Sequence, residues 1–111
     1  RLESAGLIDD DAYAAALART RFAEKGAARR AIAEELRLKG LGEGSISAAL
    51  GQIGCEDEST AALTLARKKI AATRGLEPPV RRRRTLALLG RKGYSHEVAM
   101  QALERALAGE D

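Results

Sequence analysis

Tryptophan is absent from this chain of 111 residues, and aromatic side chains as a whole make up 3%: Tyr13, Phe22 and Tyr94. β-Sandwich and barrel cores lean on aromatic and β-branched residues, so this shortage argues against an all-β fold. A single cysteine, Cys55, excludes a disulfide framework. With one histidine, His96, the chain cannot assemble a structural zinc site from Cys and His. Cys55 and His96 lie in different segments with no oxyanion motif, so Cys55 is expected to be a small, inert, half-buried residue in a reducing compartment. No apolar run approaches the ~20 residues of a membrane span, and no signal-peptide core is present. The chain begins at Arg1 rather than Met and reads as a piece of something longer. It holds no nucleophile, base and orienting group in a recognisable set. These absences imply a soluble, cytoplasmic protein that is not an enzyme and needs no cofactor or metal.

What is abundant is Ala and Leu, with Arg, Glu and Lys around them, and hydrophobic residues reach 45%. That is the composition of an all-α protein with enough apolar surface for a core. Asp9 stands as a helix N-cap, with Asp10 and Asp11 placing negative charge in the first turn, where the helix dipole favours it. Capping, rather than cation binding, accounts for this acidic triplet. Ile8 and Tyr13 have the spacing of a hydrophobic staple around that cap. Tyr13, Leu17 and Phe22 mark the inner side of a helix ending near Gly26. A second helix is expected from Ala27 to Lys39, with Ile32, Ala33 and Leu36 on one stripe and Gly40 as terminator. A third runs from Glu43 to Ile53, with Ile46, Ala49, Leu50 and Ile53 inward.

The pattern then repeats. Leu17-Ala18-Arg19 returns as Leu65-Ala66-Arg67, 48 residues on, and Phe22 corresponds to Ile70. Past an insertion carrying Pro78-Pro79 the offset becomes 53: Arg29-Arg30 matches Arg82-Arg83, Leu36 matches Leu89, Lys39-Gly40 matches Lys92-Gly93, and Ala49-Leu50 matches Ala102-Leu103. The second copy therefore has helices near Asp57–Thr73, Pro79–Arg91 and His96–Leu107, with Asp57 and Ser95 as caps and Pro at a helix start, where its missing N–H is harmless. Units this small bury little alone, so stacked tandem three-helix repeats forming an elongated helical array are expected. Residues 1–8 read as the tail of a preceding repeat, 9–54 as one repeat and 55–111 as the next.

Charge is unevenly laid out. The net charge of +3 resolves into −3 over residues 1–66, +9 over residues 67–92 and −3 over residues 93–111. Arg67, Lys68, Lys69 and Arg74 fall on the first helix of the second copy; Arg81, Arg82, Arg83, Arg84, Arg91 and Lys92 fall on its second. Four consecutive arginines spread over about 300° of a helix, so they cannot all face one ligand. Arg81 and Arg84 read as sharing a face, and Arg84 and Arg91 lie seven apart on one stripe, with Leu86, Leu88 and Leu89 supplying the buried side. Arg30 and Arg37 repeat the seven-residue spacing in the first copy, with Arg29 and Lys39 near them. Such a track fits a solvated face, nucleic-acid phosphate, or an acidic or nucleic-acid-loaded protein assembly. Base stacking is excluded as the main mode, because the three aromatic residues have core or turn roles and Tyr94 reads as a turn residue packed between helices.

Gly6-Leu7-Ile8-Asp9-Asp10 with Tyr13-Ala14, together with the Arg-Arg, Ile, Glu-Leu and Lys-Gly run from Arg29 to Gly40, resembles the RecX regulatory proteins of bacteria. Arg82-Arg83, Leu89 and Arg91-Lys92-Gly93-Tyr94-Ser95 are similar to the last repeat of that family, so the resemblance spans nearly the whole chain. It implies tandem three-helix repeats, no catalysis, and binding to the RecA recombinase, particularly its filament on single-stranded DNA. It further implies inhibition of strand exchange, ATP hydrolysis and co-protease activity, within DNA repair, homologous recombination and the SOS response. The residues this assigns to RecA or its DNA are Arg29, Arg30, Arg37, Lys39, Arg67, Lys68, Arg81, Arg82, Arg84, Arg91 and Lys92. A different class remains open: a stand-alone helix-turn-helix protein reading DNA with Pro79–Arg91. That helix holds no Asn or Gln, and a tandem repeat implies a monomer rather than a symmetric dimer.

Overall fold

The structure is a computed structural model that describes residues 9–110. The expected tail of a preceding repeat at residues 1–8, and with it the Ile8 half of the staple, lie outside the described residues. Within them every regular element is a helix: α1 (Asp10–Lys25), α2 (Arg29–Leu38), α3 (Glu43–Leu50), α4 (Cys55–Ala72), α5 (Pro78–Arg91) and α6 (His96–Ala108). The chain divides into two compact units between Gly54 and Cys55. No helix among the described residues is long and apolar enough to cross a membrane.

In the first unit α1 packs chiefly on α3. Its innermost residues are Ala14 and Ala18, both fully buried and four apart, so methyl side chains let the two helices approach closely. Around them Ile32, Ala33, Leu36, Leu41, Ile46, Ala49 and Ile53 form the core, flanked by half-buried Leu17 and Phe22. Tyr13 departs from the expected inner run and is 36% exposed. It stands one residue, or about 100° of helix, before Ala14, which rotates it off the stripe that meets α3. The Asp9 cap forms as expected, its Oδ1 accepting from the Ala12 N–H at 3.2 Å. Gln52, two residues past α3, stitches the pair together: its Oε1 accepts from Arg19 and its Nε2 donates to the Ala15 carbonyl at 3.2 Å.

The second unit repeats this plan with different residues. Here α4 packs chiefly on α6, and Ala62 and Ala66 replace Ala14 and Ala18 as fully buried small residues four apart. The helix α4 begins at Cys55, two residues before the expected Asp57 cap, and Cys55 is exposed rather than half-buried. Ala62, two turns on, is the first residue of its stripe to be covered, so Cys55 stands in solvent. Along α5 the inward stripe is Arg81, Thr85 and Leu89, at intervals of four; Leu86 and Leu88 are only partly covered. Thr85 is completely buried. Its hydroxyl donates to the Arg81 carbonyl at 2.9 Å, one turn back, and so leaves no polar group unpaired.

The turns after α2 and α5 are alike in detail. Gly40 (φ 87°) and Gly93 (φ 98°) take a left-handed conformation that residues with a Cβ avoid. The N–H groups of Gly40 and Leu41 donate to the carbonyls of Arg37 (2.9 Å) and Leu36 (3.2 Å); those of Gly93 and Tyr94 donate to Gly90 (3.0 Å) and Leu89 (3.1 Å). Both are Schellman turns, and each carries an inward apolar residue just after the glycine. That residue is Leu41 in one unit and Tyr94 in the other, at 5% and 4% exposure. Tyr94 thus has the core role expected of it, and burial pushes its phenol up to about 12, with the nearby Glu58 charge acting in the same direction.

Candidate functional site

In the first unit Arg21, Arg37 and Lys39 are engaged with carboxylates. Arg37 forks onto Glu43, donating from Nε at 2.7 Å and Nη2 at 3.2 Å, and stands 3.9 Å from Glu34. The hydrogen bond from Arg37 holds the Glu43 carboxyl below its ordinary range. Lys39 is 3.9 Å from Glu35. Glu35 in turn accepts two bonds, at 2.8 and 2.7 Å, from Arg21, and so ties α1 to α2 with its own carboxyl held low. Arg29 is half-buried at the start of α2. Arg30 is exposed, and of the predicted contact residues in this unit it alone is without an ion pair or a hydrogen bond among the described residues.

The second unit sorts its arginines into two groups. Arg81 is turned inward, with 14% of its side chain exposed, and so does not share an outer face with Arg84. Its Nη2 donates to the Ile70 carbonyl at 2.7 Å and to the Glu110 carboxylate, and its Nε approaches Thr73 Oγ1 at 3.4 Å. One guanidinium therefore ties α5 to the end of α4 and to Glu110, two residues past α6. Arg74 also reaches Glu110, at 3.4 Å, and the two arginines together hold the Glu110 carboxyl below its ordinary range, Arg81 the more strongly. Arg82 is paired with Glu104 of α6 and lowers that carboxyl in the same way. Arg67 and Lys68 are exposed on α4, and Arg67 borders a groove of about 170 Å³ that Arg74, Ala106 and Glu110 also line. Lys92 is half-covered at the end of α5.

Arg83, Arg84 and Arg91 remain outward and exposed, with no ion pair among the described residues. Arg83 was not among the residues expected to make contacts. Its place shows only when the angular positions of the whole helix are compared: Arg81, Thr85 and Leu89 fix the inner side, and Arg83 then falls opposite. No cluster of metal-ligating side chains occurs among the described residues.

Two three-helix units in tandem, each closed by the same glycine turn and the second carrying an outward cationic helix, define a class of all-helical repeat proteins. A family model described as "RecX, second three-helix domain" matches residues 9–50, and one described as "RecX, third three-helix domain" matches residues 56–103. The chain belongs to the RecX family. It is 43% identical over 113 residues to the regulatory protein RecX of Streptomyces coelicolor, covering all of this chain and 60% of that protein. It is 38% identical over 110 residues to that of Thermobifida fusca, again covering 60% of the relative. A crystal structure of a regulatory protein RecX superimposes with a TM-score of 0.78 at 33% identity, over 93% of this chain and 51% of the other. The chain thus spans about 60% of the length of the curated relatives it matches.

Proposed function

We propose that this chain acts as a non-enzymatic regulator that binds the RecA recombinase filament on single-stranded DNA and restrains its strand exchange, ATP hydrolysis and co-protease activity in the cytoplasm. The observation that carries this reading is its membership of a family whose relatives are named regulatory proteins. Residues 9–54 and 55–111 act as two repeats, each bringing a basic helix to the filament. In the first, the contacts are Arg29, Arg30, Arg37 and Lys39; in the second, Arg67, Lys68, Arg82, Arg84, Arg91 and Lys92. Arg81, held by Glu110 and the Ile70 carbonyl, contributes by positioning α5 rather than by touching a partner. Individually weak contacts repeated along one chain gain strength through high effective concentration.

Co-sedimentation with RecA filaments, with and without single-stranded DNA, tests the proposal. The chain is expected to pellet with the DNA-bound filament and to lower its ATPase rate. If it pellets with neither form, the function is wrong for this chain. The exposed arginines of α5 also admit a second reading, a helix-turn-helix protein that recognises a particular DNA sequence. Sharp preference for one sequence in a titration against random duplexes is the result that would favour it.

A further inference from the structure

We propose that the groove at the ends of α4 and α6 is a binding site for a compact dianion of the inorganic phosphate class, and that the Glu110 carboxylate sits in it as an internal competitor. The inference goes beyond the function proposed above and depends neither on RecA nor on a nucleic acid.

Arg67, Ile70 and Ala71 on α4 and Arg74 in the turn after it stand at intervals of three, one and three, so they face one way and form one wall. Ala106 of α6 and Glu110 form the other. Ile70 and Ala106 are buried, at 2% and 3% exposure, so the floor is apolar and the charged groups stand at the rim. The volume of about 170 Å³ falls below the roughly 300–1,000 Å³ of pockets that enclose organic ligands. That size suits a single small ion.

An oxyanion is already seated there. The Glu110 carboxylate accepts from Arg81 and, at 3.4 Å, from Arg74. Arg81 is a prepared donor, because the Ile70 carbonyl (2.7 Å) and Thr73 Oγ1 (3.4 Å) hold its guanidinium independently of Glu110. Arg67 borders the same groove with no ion pair or hydrogen bond among the described residues. Three guanidiniums therefore serve a groove that holds one carboxylate, an excess of two positive charges among the described residues. A phosphate, with nearly two negative charges and more acceptor oxygens than a carboxylate, balances that excess, and Arg forks match its oxygens.

Glu110 can give up its place without disturbing the fold. It lies two residues past α6, and its N–H stays on the Leu107 carbonyl at 3.2 Å while the side chain rotates away. Losing the carboxylate outright would strand the Arg81 charge, whose side chain is only 14% exposed, so exchange for another oxyanion is the way the seat is vacated. The first unit has no such site. At the offsets that relate the two copies, Arg67 corresponds to Arg19, Ile70 to Phe22 and Arg81 to Ala28. Arg19 donates to Gln52, and Ala28 is buried and uncharged. Apolar closure thus suffices for this fold, and the inward guanidinium of the second unit is not demanded by packing.

The test is a phosphate titration of the whole chain at constant ionic strength, with chloride as the exchanged ion. It is read from the amide resonances of Ala71 and Gly109, which border the groove, and from the thermal midpoint. Both resonances should follow one saturable curve. Glu110→Ala removes the competitor and should bind phosphate about tenfold more tightly than the parent. Its midpoint should start lower, and phosphate at about ten times its Kd should restore at least about 4 °C that chloride does not. R67Q/R74Q should bind about tenfold more weakly, whereas R83Q/R84Q, with the same loss of charge, should stay within about twofold of the parent. Acetate, a monoanion, and phenyl phosphate, the same dianion on a ring, should each bind more weakly than phosphate. Should Glu110→Ala fail to fold by circular dichroism, R67Q alone, at an exposed side chain, should still weaken binding about threefold. No saturable shift, equal affinities of the parent and R67Q/R74Q, equal losses in the two double variants, no gain in a folded Glu110→Ala, or acetate or phenyl phosphate binding as tightly as phosphate each overturns the proposal.

Discussion

Tyr94 offers a direct measure of how tightly the second unit is closed. Its phenol, buried behind the Gly93 turn, is pushed from an ordinary 10 up to about 12. A group whose pKa is raised by folding adds stability that is complete below the unfolded value and lost as pH rises through the folded one. The window is therefore pH 10 to 12. Each unit of difference corresponds to about 1.4 kcal/mol, so about 1 kcal/mol should be gone at pH 11 and about 2 kcal/mol at pH 12. The quantity to read is the difference between the parent chain and Tyr94→Phe, which shares every other titratable group. Urea unfolding followed by far-ultraviolet circular dichroism at pH 9 and pH 11 supplies it. With a denaturant slope of about 1–3 kcal/mol per molar, the parent midpoint should fall by about 0.3–1 M more than that of Tyr94→Phe. Equal losses in the two proteins would show that the Tyr94 hydroxyl is as hydrated in the folded state as in the unfolded one, and would refute the burial argument.

Two further expectations concern stability. Gly93→Ala forces a Cβ into a left-handed turn and should cost about 1–2 kcal/mol, whereas Gly90→Ala, three residues earlier in an exposed helical position, should stabilise by about 0.5–1 kcal/mol; thermal midpoints of the two variants should move in opposite directions. On the acid side, Glu35, Glu43, Glu104 and Glu110 all have carboxyls lowered by arginine hydrogen bonds. Their contribution is present above the ordinary carboxylate value of 4.5 and is lost as pH falls through the lowered values, so the thermal midpoint should drop on acidification below that point, and less so in Glu35→Gln.

The fold could be read from the sequence because its determinants are local or repeated. The offsets of 48 and 53 residues carry the two units, the Asp9 and Ser95 caps stand at the helix starts they were expected to mark, and both Lys-Gly turns fall where the glycines require them. What could not be read is which flank of each helix meets its neighbour most closely. Tyr13 looked internal because it is large and apolar, yet the α1–α3 contact selects Ala14 and Ala18 for being small. The sorting of the arginines depends on partners far away in sequence: Glu110 lies 29 residues from Arg81, Glu104 lies 22 from Arg82, and Glu35 lies 14 from Arg21. Four adjacent arginines look equivalent until these distant acids claim two of them. What remains is the pair that faces outward.

The matched glycine turns have a consequence for how such a protein can change. Each turn is specified by main-chain hydrogen bonds, one glycine and one inward side chain, and Leu41 and Tyr94 show that even the inward side chain can be exchanged. None of these determinants is a side chain on the outer face of the preceding helix. Substitutions can therefore accumulate there in one copy without disturbing its closure, and without obliging the other copy to follow. Duplication of such a unit supplies a second surface that is free to acquire a new partner while the first retains its own.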